Sequence, residues 1–298
     1  MKKCLLFLLP IILISLNWCL RANTEEIIVD SETPIEIGIS WEGQEEIQPE
    51  INISEDTCIV SDNVTIYTYM YHYIRDREWD KPTDTFLNNA VITQNFEAQM
   101  EKFQQLQKDG RLQIIFLSEL EDFQTRDCYP HENLVIFTAD DGWDDNFTNL
   151  FPIAKKHEIK FHLSIVSDFT HEPRHYNFIT PSELKTINEN PYFEIIWHTY
   201  QHLDLRNLND FYLSRELCES KDDLEKLLDI SINTIIYPAG KYNQTVINKS
   251  KECGYTYGFT TEWWTSSVSD LTQNPHTLKR IRVSRHSTVV GLSEYFEN

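Results

Sequence analysis

The chain is poor in positive charge. Against 47 Asp and Glu it carries 26 Lys and Arg, a formal net charge of −21 over 298 residues. Nucleic-acid affinity rests on Lys and Arg neutralising phosphates, so this deficit argues against a nucleic-acid partner. It argues equally against docking on anionic lipid. An acidic surface suits a cationic ligand or product, and it also keeps an exported protein soluble. No two cysteines form a CxxC pair, which removes the usual cysteine metal site. No internal repeat or low-complexity block is present. What the chain does have, 41% hydrophobic residues and 12% aromatics, can fill a sizeable core in one large domain or two small ones.

Met1-Lys2-Lys3 precedes an uncharged, largely apolar stretch from Cys4 to Leu20, followed by Arg21-Ala22-Asn23. A positive start before an apolar run is the pattern of a secretory signal. Residues 1–22 therefore read as a signal peptide or an N-terminal membrane anchor. Cleavage after Ala22, lipid attachment at Cys19 and an uncleaved anchor all place the rest of the chain outside the cytoplasm, in an extracellular, periplasmic or envelope-attached position. Cys58, Cys128, Cys218 and Cys253 lie beyond this segment. Four cysteines allow three connectivities, and the sequence does not choose among them.

Residues 23–61 are acidic and rich in Glu, Ser and Thr, with Pro34 and Pro49 interrupting them. They read as a linker or stalk. From Asp62 to the end, residues 62–298, apolar runs alternate with helical patterns. The strand candidates are Val64–Tyr73, Leu112–Leu117, Leu134–Thr138, Phe161–Val166, Phe193–Trp197, Thr234–Tyr237, Tyr257–Thr260 and Leu278–Val283. Several are unbroken Ile, Leu, Val and Phe runs, as expected for strands covered on both faces. Between them, Phe96, Met100, Phe103 and Leu106 repeat at helical spacing, as do Leu217, Leu224, Leu227 and Leu228. Thr180-Pro181-Ser182-Glu183 is a capping box with Pro at the first helical position. A helix from Val246 to Cys253 ends at Gly254. Strand and helix in alternation mean a parallel sheet. Polar groups just past the ends of several different strands favour a closed (β/α) barrel over an open sheet, since barrel enzymes assemble their sites at that face.

Two strings at strand ends carry the chemistry. Thr138-Ala139-Asp140-Asp141-Gly142 follows one apolar run, and His198-Thr199-Tyr200-Gln201-His202 follows another. On a helical turn His198 and His202 would share a face. Asp141 would complete a two-histidine, one-carboxylate set with open positions, as in catalytic zinc sites. Successive residues leaving a strand point in different directions, so Asp140 is free for another task, such as taking a proton from metal-bound water.

These strings resemble the polysaccharide deacetylases, the NodB-homology domain of carbohydrate esterase family 4. The family signature runs T-F-D-D-G, then H-S/T-x-x-H, then a proline–glycine loop. Here that order is Thr138–Gly142, His198–His202 and Tyr237-Pro238-Ala239-Gly240-Lys241-Tyr242-Asn243, with a Met70-Tyr71-His72 opening and a Leu278-Lys279-Arg280-Ile281 closing stretch. The loop is most similar to the branch acting on poly-N-acetylglucosamine. The resemblance implies a metal-dependent N-deacetylase of N-acetylglucosamine glycans on an incomplete or distorted, TIM-like (β/α) barrel, with Asp140 as general base and Asp141, His198 and His202 holding one divalent ion, zinc first. It also implies a Tyr237 backbone N–H at the oxyanion and Pro238 and Gly240 walling the sugar site.

Departures from the family pattern accompany it. Ala139 stands where Phe is usual, and Ile236 stands where many members have an Arg that pairs with the catalytic Asp. The late L-x-H motif has no clean match; His286 is the residue nearest that role, as general acid. His72 and Trp263 are further candidates for the substrate pocket. The missing Arg motivates an alternative, a non-catalytic glycan-binding protein on the same fold, and an O-acetyl polysaccharide esterase would need the same machinery. Asn146-Phe147-Thr148 is a glycosylation string beside the acidic motif, where a glycan would crowd the site.

Overall fold

The computed structural model describes residues 58–76, 89–170 and 177–297. The signal or anchor at 1–22 and most of the linker at 23–61 lie outside the described residues. Cys58 to Ser61, assigned to the linker, are already tied to the domain. Ile59 bridges Tyr129, and Cys58 is cross-linked to Cys128. The other pair is Cys218–Cys253. In the chain-entropy picture, closing loops of 70 and 35 residues stabilises by about 4 kcal/mol each.

Eleven strands occur among the described residues: β1 (Thr65–Tyr71), β2 (Tyr73–Ile74), β3 (Ala90–Val91), β4 (Gln113–Ile114), β5 (Asn133–Ala139), β6 (Phe161–Ile165), β7 (Phe193–Trp197), β8 (Thr234–Ile236), β9 (Tyr257–Phe259), β10 (Ser266–Ser267) and β11 (Ile281–Arg282). The main sheet runs β10-β1-β5-β6-β7-β8-β9, parallel throughout except for β10. It curls into an incomplete barrel. Its seam is spanned by one stretch: Leu278 bridges Phe259, and Ile281 and Arg282 pair with Tyr69 and Met70 of β1. The distortion sits at β5. One edge of β5 is paired with β1 along its whole length, while the other takes β4 at Leu134–Val135 and β6 only at Thr138–Ala139.

Residue alternation explains why these runs carry no polar face. Along β5, Leu134 and Ile136 join an inner cluster with Ile66, Ile196, Ile236, Phe259 and Leu278. Val135, Phe137 and Ala139 join the outer cluster under the helices. There Phe137 packs on Phe103 and Phe161, with ring centroids 4.9 and 5.3 Å apart. Phe96, Met100, Phe103 and Leu106 are the buried stripe of helix Thr93–Lys108, as their spacing predicts. The Thr180 capping box forms in both directions, with Thr180 N–H donating to Glu183 and Glu183 N–H to Thr180 Oγ1. Gly254, at φ 82°, follows helix Gln244–Glu252.

Three expected strands are shorter than their runs by more than one residue. Leu112–Leu117 reduces to β4 because Leu117 opens helix Leu117–Arg126. Leu278–Val283 keeps only β11 and one bridge. Val64–Tyr73 breaks at His72, since β2 leaves the main sheet to pair with β3.

Candidate active site

The inner face of β5 continues from Leu134 and Ile136 to Thr138 and then Asp140, whose N–H donates to Tyr71 O at 3.0 Å. The chain then turns sharply through left-handed Asp141 (φ 77°) and Gly142 (φ 73°). The adjacent carboxylates therefore diverge, as two roles require.

Asp140 is buried and bound at both oxygens by Arg280, Nη1 to Oδ1 and Nη2 to Oδ2, each at 2.8 Å. Arg280 is fully buried and otherwise satisfied: Nη1 also reaches Thr138 Oγ1 at 3.1 Å, and Nε donates to Thr260 O at 2.9 Å. Burial alone would raise the Asp140 carboxyl. The Arg280 guanidinium, with the His198 and His72 rings, outweighs it and holds Asp140 below the ordinary carboxylate range. The Arg expected on the proline–glycine motif is indeed absent there, where Ile236 packs into the inner cluster. Its partner role falls to Arg280 of the seam stretch, which the sequence reading did not assign. The available signal was an Arg at alternate spacing from Leu278, in a stretch whose other apolar residues are Ile281 and Val283.

Asp141 faces the other way. Its Oδ1 lies 3.2 Å from His198 Nε2 and 3.5 Å from His202 Nε2, while its Oδ2 accepts from Trp143 Nε1 at 2.9 Å. Trp143 is fixed in turn by stacking on Phe178, 4.3 Å between centroids. His198 Nδ1 lies 2.8 Å from Ile236 O, so Nδ1 carries a proton toward that carbonyl and Nε2 is the nitrogen turned to Asp141. The three ligand atoms all lie within 4.8 Å of one another. Burial raises the Asp141 carboxyl, yet the His198 hydrogen bond and the surrounding imidazoles hold it well below the usual range. Burial also lowers both ligand imidazoles. Asp141 reverses this at His198, whose pKa is raised, but His202 is pushed down to about 4 by burial and the neighbouring His198.

The histidines do not share a helical face. Residues 198–202 form an irregular turn in which Thr199 (φ 71°) and His202 (φ 58°) are left-handed. The rings still meet edge to face, 4.9 Å between centroids. The convergence expected from the spacing is present, by a different local route.

The remaining candidates divide. His72 is brought to the site: its Nε2 lies 3.9 Å from Asp140 Oδ2, on the inner face that Ile66, Thr68 and Met70 begin. His286 lies on an exposed turn, where its N–H donates to Ser284 Oγ; its ring makes no hydrogen bond or ion pair with the cluster among the described residues. The Tyr237 N–H, expected at an oxyanion, already donates to Phe259 O at 3.1 Å, because β8 and β9 stay in register through that residue. Pro238 and Gly240 form the turn after β8, and Gly240 (φ 67°) is obligatory: a Cβ there would lie 2.1 Å from Thr261 Oγ1 and 2.7 Å from Thr261 N. Trp263 is 60% exposed, beside Trp264 in the loop after β9. Asn146 is fully buried and its side chain donates to His72 O at 2.8 Å, so it is closed to a glycan in the folded protein.

Comparison with known proteins agrees with this geometry. Residues 129–258 match the family model described as Polysaccharide deacetylase. The protein named "Putative polysaccharide deacetylase YxkH" from Bacillus subtilis (strain 168) is 27% identical over 208 residues, covering 70% of this chain and 71% of that one. The solved Streptococcus pyogenes deacetylase PplD, in complex with acetate, is 25% identical with a TM-score of 0.69, covering 79% of this chain and 99% of that one. BC0361, a polysaccharide deacetylase from Bacillus cereus, shares the fold with a TM-score of 0.67 at 22% identity, covering 78% and 69%. The paired carboxylates, the converging imidazoles and these likenesses agree: the chain carries a hydrolase domain of the polysaccharide deacetylase (NodB-homology) family.

Proposed function

We propose that this protein is an exported, metal-dependent N-deacetylase acting on N-acetylglucosamine units of cell-surface glycans. One observation carries the reading: Asp140, paired with buried Arg280, stands next to three converging donors that leave it uninvolved. The donors fit a divalent cation, since His198 is held in the tautomer that presents Nε2 and Asp141 offers Oδ1 to the same centre. Two imidazoles and a carboxylate suit zinc first, and other first-row metals next. When bound, such an ion acidifies water and polarises the acetyl carbonyl.

The side chains then divide the work. Asp140, kept ionised by Arg280, accepts the proton of the attacking water. His72, whose Nε2 lies 3.9 Å from Asp140 Oδ2, then relays that proton from Asp140 to the departing amine, a role its position supports better than that of His286. The products are acetate and a glucosamine unit with a cationic amine, which an acidic protein does not repel. Export is supported by the signal-like N-terminus and by two disulfides, which persist in oxidising compartments.

Acetate release by zinc-loaded protein from acetylated chitooligosaccharides, poly-N-acetylglucosamine and peptidoglycan tests the reading, with acetylated xylan as the ester control and Asp140→Asn as the blank. Release from the N-acetyl substrates, lost in the variant, is expected. Release from xylan alone would make it an O-acetyl esterase. No release from any substrate would overturn the assignment.

A further inference from the structure

The turn that carries both histidine ligands is strained. Thr199 is β-branched and left-handed, a rare combination, and His202 is left-handed as well. Such a backbone persists only where its surroundings over-determine it. Two neighbouring segments do so here. From the turn after β6, Ser167 N–H donates to Thr199 O at 3.3 Å and Asp168 N–H to Tyr200 O at 3.0 Å. Asp168 Oδ2 also accepts from Gln201 Nε2 at 3.1 Å.

The second hold comes from segment Arg215–Glu219. Glu216 is 2% exposed, yet it has no basic side chain bonded to it among the described residues. Its Oε2 accepts from Gln201 N–H at 2.9 Å, and the same carboxylate faces the Thr199 hydroxyl and the Tyr200 N–H. The Thr199 hydroxyl in turn accepts from His202 N–H at 3.1 Å. A single hydroxyl thus stands between the buried carboxylate and the backbone of His202. Next to it, the Arg215 guanidinium lies over the Tyr200 ring at 4.7 Å. The segment itself is pinned: Cys218 is cross-linked to Cys253, and Tyr255 Oη donates to Leu217 O at 2.6 Å.

We propose that Glu216 is a positioning residue for the metal site, holding the His198–His202 turn in its left-handed form through the Gln201 N–H and the adjacent Thr199, and so aiming His202 at Asp141. The inference rests on the metal reading of Asp141, His198 and His202. Burying a carboxylate is costly unless it is hydrogen-bonded, and here the bond it accepts comes from the one segment that carries the ligands. Groups that orient metal ligands without touching the ion typically change metal affinity 10- to 100-fold when removed, by order of magnitude.

The test measures zinc dissociation constants by chelator competition for the wild type, Glu216→Gln, Thr199→Val and Thr199→Ser. Thermal melts of the metal-free proteins run in parallel. Thr199→Val removes the hydroxyl while keeping the β-branched shape. The expected result is a zinc affinity weakened roughly 10- to 100-fold in Glu216→Gln and Thr199→Val, with Thr199→Ser restoring it to near the wild-type value. Wild-type affinity in both Glu216→Gln and Thr199→Val would overturn the inference while leaving the metal site standing. If the wild type itself holds no zinc, the metal reading fails and this inference with it. Should Glu216→Gln fail to fold, the Thr199 pair decides alone: equal affinity in Val and Ser overturns the proposal.

Discussion

Arg280 and Asp140 form a two-point ion pair across 140 residues of sequence, with both partners withdrawn from solvent. A buried pair adds little net stability over an apolar substitute, but breaking one side leaves an uncompensated charge. Arg280→Met should therefore destabilise the domain by about 3–5 kcal/mol. The same change in an Asp140→Asn background should do less, since no buried charge is stranded, and urea unfolding of the four proteins measures that coupling. In activity, Asp140→Asn alone should lower acetate release by about 10²–10⁴-fold, the usual loss for a general base. Equal destabilisation by Arg280→Met in both backgrounds would show that the pair does not act as described.

Metal removal follows from the donor set. Dialysis against a chelator should abolish acetate release, and one equivalent of zinc should restore it. His198→Ala should purify with little bound zinc by elemental analysis, because it removes the ligand whose tautomer Ile236 O fixes.

Acid sensitivity has a separate source. His276 is buried, and burial together with Lys251 pushes its pKa down to about 4, from about 6.5 in an unfolded chain. Between those values the unfolded chain binds the extra proton and the native one does not. The contribution is complete above about pH 6.5 and is lost as pH falls toward about 4. His276→Gln should narrow the difference between urea midpoints measured at about pH 7.5 and about pH 5; an unchanged difference would clear His276 of the effect.

Two glycines with nearly equal φ make a matched pair. Gly110 (φ 66°) has nothing within 4 Å of an added Cβ, whereas Gly240 (φ 67°) has Thr261 in the way. Gly110→Ala should cost only the left-handed backbone term, about 1–2 kcal/mol. Gly240→Ala should cost that plus about 1–3 kcal/mol of overpacking, and should disturb the loop beside the site. Melting temperatures of the two variants give the comparison directly.

The exposed pair Trp263 and Trp264, 5.4 Å apart, stands in the loop after β9, on the side of the barrel where Asp140 and His198 follow their strands. Trp263→Ala should raise KM for a polymeric substrate by roughly tenfold, the scale of one aromatic face left unburied, with kcat little changed. A fall in kcat at constant KM would place Trp263 outside substrate binding.

Much of this architecture was legible because the relevant signals are local. Leu134–Phe137 is an unbroken apolar run, Phe161–Ile165 and Phe193–Trp197 are interrupted only by His162, Ser164 and Glu194, and a parallel strand buried on both faces has few alternatives. Asp141, His198 and His202 were legible as donors because each stands just past such a run. Their backbone was not. The left-handed Thr199 and His202 depend on Glu216, Ser167 and Asp168, partners that no helical spacing encodes. Arg280 escaped for the same reason, since the expected position is occupied by Ile236 and the replacement reaches in from another strand. The Tyr237 amide was misassigned because strand register with Phe259, a long-range property, decides where that N–H points.

Translation proceeds from the N-terminus, so Asp141, His198 and His202 leave the ribosome well before the stretch Leu278–Arg282 that bridges β9 to β1. Until that last stretch is made, the nascent chain has Asp141, His198 and His202 but no counter-ion for Asp140. On the proposed roles, zipping up the seam and arming the base would be a single event, and a chain cut short before residue 278 should be inert however well its earlier strands had assembled.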